Sequence, residues 1–404
     1  MRSRRGIVLM CASLFLLFSL SVEAKEDPKL KERVAALEEQ IVQLDNRVSD
    51  LAPEGFDELR EYISNLESAF GPWETTVDCG ADESLQAALN EADNRVGPVI
   101  ITVEGMCSEE VVIRRDDVTL RGGSPGSGIQ DPSGNGIPLI LEAAQRVHLE
   151  DLELIDGEVG LAARSGVSFS ASNLRVAGAI RSGVQVYHNA SGEISTLTVS
   201  NGGPESFGVE VFSEGSLSVF DGTISDGSIG AFVHRSGNLD LFDVTIDWFD
   251  EGIEVMWGAS ASLRLSRIKN CGSAGEIHGS IDVSGSEIID NTWPLYAKPG
   301  GSAFIQGSVI QEIGGESNSS IEIINTTING SVSVGIHTSL VFYPGTVVLG
   351  RVNLRGISVL EAYPTADPAS IQIGELYCDE DIVTQVMIEG DVQIGPIVGC
   401  RGYP

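Results

Sequence analysis

Five glycines, Gly160, Gly183, Gly208, Gly230 and Gly252, recur at steps of 23, 25, 22 and 22 residues, and each opens a copy of one apolar template. One residue on stand Leu161, Val184, Val209, Ala231 and Ile253; three residues on stand Ala163, Val186, Val211, Val233 and Val255. Eleven on come Ala171, Ile194, Val219, Leu241 and Leu263, and sixteen on come Val176, Val199, Ile224, Ile246 and Ile268. Alternation within each short run is the period of a strand, so each copy reads as three short strands separated by turns. A unit of about 22 residues cannot bury its own apolar face and must stack on its neighbours. The chain therefore predicts a coil of strands.

Further copies of this texture flank the five. Ser84-Leu85-Gln86-Ala87-Ala88-Leu89-Asn90 reads as a short capping helix, followed by strands at Val99–Val103, Val111–Ile113 and Val118–Leu120. Leucine-rich repeats have a similar period, but their recurrent Leu and Asn positions are absent and β-branched residues dominate. With three parallel strands per turn and one inward column from each, the chain resembles the right-handed parallel β-helix of the pectin lyase-like superfamily. That resemblance implies an all-β solenoid over 75–360, roughly eleven coils at about 4.8 Å each, closed by a C-terminal cap over 361–404. It is specific for architecture and much less so for activity.

The N-terminus predicts export. Arg2, Arg4 and Arg5 precede an apolar stretch of 17 residues from Gly6 to Val22, which ends at Ala24 before Lys25-Glu26-Asp27. This is the pattern of a signal peptide over 1–24, with an uncleaved membrane anchor as the alternative. The expected location is secreted, periplasmic or on the cell surface. Five cysteines follow in what would then be an oxidising compartment. Cys79 precedes the capping helix and Cys107 ends the first strand region, so a bridge between them would pin the cap to the first coil. Cys378 and Cys400 enclose the last apolar run. Each closure would stabilise by about 3 kcal/mol. Cys271 is left over, in a turn after Ile268, and reads as a solvated or half-buried free thiol.

Between the leader and the coils, Leu30, Val34, Leu37, Ile41, Leu44, Val48 and Leu51 alternate four and three apart, an α-helical coiled-coil stalk over 25–52. The seam alone leans to two strands, whereas Arg33-Val34-Ala35-Ala36-Leu37-Glu38 resembles a short trimerisation motif; the expected partner is the chain itself, as a homotrimer. Pro53 and Gly55 interrupt, and Phe56, Leu59, Ile63, Leu66 and Phe70 mark a second amphipathic helix or linker over 53–74, either a further stalk helix or one packed on the end of the rod.

Charge narrows the other partners. The chain carries 58 acidic against 25 basic residues, a net charge of −33. Nucleic acid is excluded as an expected partner because no segment supplies a basic stripe. A strongly anionic polysaccharide is disfavoured unless calcium bridges it. No other cofactor is expected.

Function has to reside on outward residues. Two, four and five residues after the template glycines stand Tyr187, His188, Glu210, Phe212, Phe232, His234, Arg235, Glu254 and Trp257. Stacked, they make one aromatic and ionisable face, read either as a saccharide-binding surface or as a packing ladder or subunit contact. Catalytic candidates are sparser. Asp221 and Asp243 share a register in adjacent coils, about 5 Å apart, which suits a nucleophile-type carboxylate pair and equally two solvated turn residues or a weak calcium site. Arg267-Ile268-Lys269 resembles the Arg-Ile-Lys element of polygalacturonases, but the companion motifs do not precede it. Arg267, Lys269 and His278 beside Asp247, Asp250, Glu251 and Glu254 form the one cluster a lyase could use, and a charged outer face explains it as well. The sequence thus points to a stalked, glycan-binding or structural surface protein, with a polysaccharide lyase or glycoside hydrolase as the alternative.

Overall fold

The computed structural model describes residues 71–404 except 201, 356–358, 363–370, 379–384, 389–391, 399 and 401–404, together with 36, 39, 40, 42 and 43 of the preceding segment. The chain divides into two units, Met1–Gly71 and Pro72–Pro404. Of the first, the described residues Ala36, Glu39, Gln40, Val42 and Gln43 are helical and exposed. The export signal, the heptad seam and the amphipathic stretch from Phe56 to Phe70 lie outside the described residues. No helix among the described residues is long and apolar enough to cross a membrane.

The second unit is a parallel β-solenoid of about 14 turns. Its first ladder begins at Trp73–Asp78, so the last two residues of the expected 53–74 linker already form strand, paired with Val99–Glu104. Val118–Gly122 and Val147–Glu150 follow in the same ladder. The second ladder starts at Met106–Ser108 and the third at Val111–Ile113. All three run past residue 360, ending at Gln385–Ile388, Val392–Ile394 and Ile397–Val398. The described strands beyond residue 360 thus continue the same parallel pairing. Each coil's inward residues are covered by the coils above and below, and that is why an isolated repeat cannot fold.

The inward columns follow the template. Val176, Val199, Ile224, Ile246 and Ile268 pair residue for residue across successive coils, and each is at most 1 % exposed. The glycines are explained by the same column. A Cβ on Gly230 would meet Ile246 Cγ2 at 2.3 Å and the Gly252 carbonyl oxygen at 2.6 Å, and Gly160, Gly183, Gly208 and Gly252 are blocked in the same way by Val176, Val199, Ile224 and Ile268. The glycine at each coil's third strand leaves room for the β-branched residue sixteen positions later, so the two template positions are one packing unit. After Gly252 the column passes to Ala274 and the glycine rule ends.

The later coils satisfy their backbone differently. Ser266, Ser286, Ser308 and Thr326 are buried in one stack, and the Ser266, Ser286 and Ser308 amides each donate to the next hydroxyl, at 3.0, 3.1 and 3.3 Å. Buried amides need such partners, because an unmade hydrogen bond costs about 1–3 kcal/mol.

The N-terminal end is closed by the helix Leu85–Ala92, whose Leu85 and Leu89 are buried. The Ser84 hydroxyl accepts from the Ala87 amide at 3.1 Å, and the Glu109 carboxylate accepts from the Leu85 amide at 2.6 Å, placing an anion at the positive end of the helix. Cys79 is bonded to Cys107 and Cys378 to Cys400, so the cap is tied to the first coil and the last described coils to each other. Cys271 is free but buried, correcting the expectation of a solvated or half-buried thiol. Its amide donates to Asn291 Oδ1 at 2.9 Å, which holds the turn inward, and burial pushes the thiol up to about 11.

Candidate functional site

The third ladder carries the outward face. In its upstream half, the in-register column Gln185, Glu210, Phe232 and Glu254 lies beside the column of Tyr187, Phe212 and His234. The rings stack: Tyr187 on Phe212 and Phe212 on His234 both have centroids 4.1 Å apart and planes 12° apart. Phe232 packs against Phe207 at 5.6 Å and His234 at 4.2 Å. Under this stack the polar groups satisfy one another. Gln185 Nε2 donates to Glu210 Oε2 at 2.6 Å, the Tyr187 hydroxyl donates to Gln185 Oε1, and His234 Nε2 lies 3.1 Å from Glu210 Oε1. The Glu210 side chain is 3 % exposed. Burial, then the Glu210 charge, push the Tyr187 phenol up to about 12. Outward position here does not mean full exposure: the rings are half-buried against one another, and Gln185 and Glu210 beneath them are buried.

Downstream the columns continue with other chemistry. Glu254 pairs in register with Glu276 and Glu276 with Tyr296, so two carboxylates stand on adjacent coils. Glu251 sits three residues earlier, in register with Ser273, which in turn faces Trp293. Lys298 Nζ binds Glu276 Oε1 at 2.9 Å and Glu316 Oε1 at 3.1 Å and lies 5.4 Å over the Tyr296 ring. Burial works against its charge, but the two hydrogen bonds outweigh it and raise the ammonium above its usual range. His278 Nε2 is 3.8 Å from Glu276 Oε2, and the His278 ring is 4.3 Å from Trp257. The Arg235 guanidinium lies 5.7 Å over Trp257.

These groups are incompletely satisfied. Glu251 Oε1 and His278 Nδ1 are buried atoms without a hydrogen-bond partner. Among the described residues neither Glu251 nor Glu254 has an ion-pair partner. Burial, then the charges of Glu254 and Glu276, push the Glu251 carboxyl up to about 8, with the Glu276 amide and Lys298 opposing. Burial and Glu276 raise Glu254 as well, with His234 and Lys298 opposing. Beside them Trp257 is 47 % and Trp293 68 % exposed. The arrangement offers flat apolar surface, acceptors short of donors, and a carboxyl that holds its proton near neutral pH.

The remaining predicted residues fall elsewhere. His188 is exposed in the turn after the third ladder, at φ 40° and 6.0 Å from the Tyr187 ring. Asp221 and Asp243 are exposed at φ 60° and 57°, at the left-handed residue joining the first and second ladders, a conformation that Asp and Asn tolerate. Arg267 and Lys269 flank inward Ile268 on the second ladder, Arg267 on Glu287 at 2.6 Å and Lys269 on Asp247 at 3.1 Å, so the structure does not bring them to the glutamates. Among the described residues no three His, Cys, Asp or Glu side chains are grouped to hold a metal ion. A separate open groove of about 380 Å³ lies on the first ladder, lined by Ser260, Ser280, Ser302 and Ser320 with Asp282 and Glu322. Sequence reading missed Glu276, Trp293, Tyr296 and Lys298. Extending the outward columns by one further step of 22 residues, from Glu254 and Met256, reaches Glu276 and His278.

Comparison with protein-family models finds no match, and neither does comparison with curated proteins. Among solved structures, the chain is similar to DFA-IIIase from Arthrobacter chlorophenolicus A6, at 10 % identity and a TM-score of 0.39, over 81 % of this chain and 94 % of that one. It is similar also to the A-module of the mannuronan C-5 epimerase AlgE6 from Azotobacter vinelandii, at 12 % identity and a TM-score of 0.32, over 79 % of this chain and 94 % of that one. The siphovirus 9NA tailspike receptor binding domain matches at 12 % identity and a TM-score of 0.27, over 82 % of this chain and 77 % of that one. At these scores the likeness carries no argument about function, which rests on the chain's own residues.

Proposed function

We propose that this chain is an exported glycan-binding β-helix protein whose ligand face is the downstream part of the third ladder, from Glu251 to Lys298. The carrying observation is the exposure of Trp257 and Trp293 on the same ladder as Glu251, one of whose carboxylate oxygens lacks a donor. Sugar rings offer apolar faces that pack on indole, and hydroxyls that donate to carboxylates. The upstream ring stack supports a packing role for Tyr187, Phe212, Phe232 and His234, which narrows the face expected from sequence. Two disulfides support an oxidising, extracytoplasmic setting. Self-association as a trimer through 25–52 rests on the heptad seam, and sedimentation of the chain with and without residues 25–70 tests it.

A second reading, a glycoside hydrolase, draws on one observation: Glu251 holds its proton up to about pH 8 beside Glu276, which Lys298 keeps in an ion pair. An acid and an ionised carboxylate side by side are what glycosidic cleavage requires. Incubation of the protein with a panel of polysaccharides, with and without calcium, separates the readings. Retention without new reducing ends or unsaturated products supports binding; new ends lost in Glu251→Gln support hydrolysis; no retention and no products overturns both.

A further inference from the structure

Four asparagines stand in the pattern Asn-x-Ser/Thr with no proline between: Asn189, Asn318, Asn325 and Asn329. Such triplets also arise by chance, so the pattern needs a structural context. The fold supplies one. All four are exposed, and each lies in a turn between ladders. Asn318 stands between Ile313–Gly315 and Ser320–Ile324, Asn325 between that strand and Thr327–Ile328, and Asn329 between the latter and Val332–Val334. One coil thus carries such an asparagine at each of its three corners. Asn189 occupies the corner position of Asn318 farther upstream, since Ser191 and Ser320 share a column of the first ladder.

Their side chains differ from those of the other asparagines. Asn173 Nδ2 donates to Asp151 and Asn270 Nδ2 to Asp247, both at 2.8 Å, while Asn291 Nδ2 donates to the Ile268 carbonyl at 3.1 Å and Asn353 Nδ2 to Ser333 at 3.2 Å. Asn90, Asn135 and Asn238 are bonded through their side chains as well. Turn asparagines ordinarily spend the side chain in this way. Among the described residues outside the triplets Asn94 alone lacks such a bond, whereas within the triplets none of the four has one. Exposed aliphatic surface lies beside two of them on the next coil. The Asn318 amide donates to the carbonyl of Ile336, which is 46 % exposed, and Leu349, 62 % exposed, follows in line with Asn329.

We propose that Asn189, Asn318, Asn325 and Asn329 are N-glycosylated as the chain is exported, the sugars projecting from the corners of the stack and covering Ile336 and Leu349. The proposal rests on the export reading and is independent of the saccharide-binding face. In the transfer, Nδ2 attacks the anomeric carbon of an oligosaccharyl pyrophosphate donor. The carbon–nitrogen bond forms, the carbon–oxygen bond to the pyrophosphate breaks and leaves with its electron pair, and the displaced amide proton passes to a base of the transferase. A group added at these corners disturbs no ladder bond, because the four side chains hold nothing in place.

The test is mass spectrometry of the full chain isolated from the cells that produce it, before and after digestion with peptide N-glycosidase in heavy-oxygen water. The intact mass is expected to exceed that of the bare polypeptide by whole sugar residues and to fall back on digestion, with a heavy-oxygen label at positions 189, 318, 325 and 329. A parallel incubation without enzyme subtracts spontaneous deamidation, and N-terminal sequencing of the same sample reads whether the leader has been removed. Thr327→Val removes the hydroxyl and keeps the shape of the side chain, in a column where Val309 and Val347 already stand on either side. It should leave Asn325 bare while the other positions keep their sugars. An exported chain that is bare at 318, 325 and 329 overturns glycosylation and leaves the export reading standing. A bare chain recovered from the cytosol with its leader attached overturns both. Sugar that persists on Asn325 in the Thr327 variant, or that sits only on other residues, overturns the assignment to these triplets.

Discussion

The coils before Gly252 and those after it solve the same stacking problem in different ways. Upstream, each coil gives up a Cβ so that a Val or Ile can cross the interior, and each outward ring stacks on the next until the polar groups beneath are sealed. Downstream, the glycine column gives way to Ala274, buried hydroxyls bind the turn amides, and the outward column presents Glu254, Glu276 and Tyr296. The upstream part spends its aromatic surface on itself. The downstream part leaves two indoles exposed and one Glu251 oxygen without a donor, and that difference distinguishes scaffold from candidate site within one continuous ladder.

The comparison is broken most strongly from inside. Gly230→Ala places a methyl against Ile246 Cγ2 and a backbone carbonyl, and should cost about 3 kcal/mol or more by chemical denaturation. Adding Ile246→Ala should recover little beyond the side-chain part of the clash. The reverse change downstream, Ala274→Gly, should cost about 1 kcal/mol, since nothing there needs a missing Cβ. Equal losses at the two positions would dissolve the distinction between the glycine-spaced coils and the later ones.

Next in size is a pH effect confined to the downstream part. The folded Glu251 carboxyl titrates at about 8, against an ordinary 4.5, so the folded state holds a proton that the unfolded chain has released. Stability from this group is therefore fully present below the unfolded value and is lost as pH rises through about 8. Relative to Glu251→Gln, the unaltered protein should lose about 2 kcal/mol between mildly acidic and mildly alkaline pH; the full shift is discounted for partial solvation and for coupling to Glu254 and Glu276. Parallel melting curves for the two proteins across that range would contradict the proton assignment.

The rings give a smaller but sharper contrast. Phe212→Ala removes two stacked contacts and uncovers Glu210, so it should lower stability by about 2 kcal/mol. Trp257→Ala should stay within about 0.5 kcal/mol in stability and instead weaken saccharide affinity by about 1–3 kcal/mol. Melting temperature and titration on the same two variants check both halves. A destabilised Trp257 variant with unchanged affinity would turn this part of the face into scaffold as well.

The repeat of glycines and β-branched residues was enough to define strands, their stacking and the buried columns, because alternation and spacing are properties of neighbouring residues and each coil repeats the same local problem. The pairing of Cys79 with Cys107 and of Cys378 with Cys400 was legible for the same reason, each pair enclosing one end of the repeat. Exposure of the outward face was not legible. Tyr187 and Trp257 are both outward aromatics near a glutamate, yet Tyr187 is half-buried by the stacked Phe212 on the next coil while Trp257 meets His278 only obliquely and stays exposed. Likewise Glu210 and Glu254 occupy one column, but Gln185 and His234 supply Glu210 with donors and nothing comparable reaches Glu254. Whether an outward group is covered depends on the side chain about 22 residues away in the stack and on its rotamer. Only the folded stack, which sets those neighbours side by side, decides which polar groups are satisfied and which are left to meet a ligand.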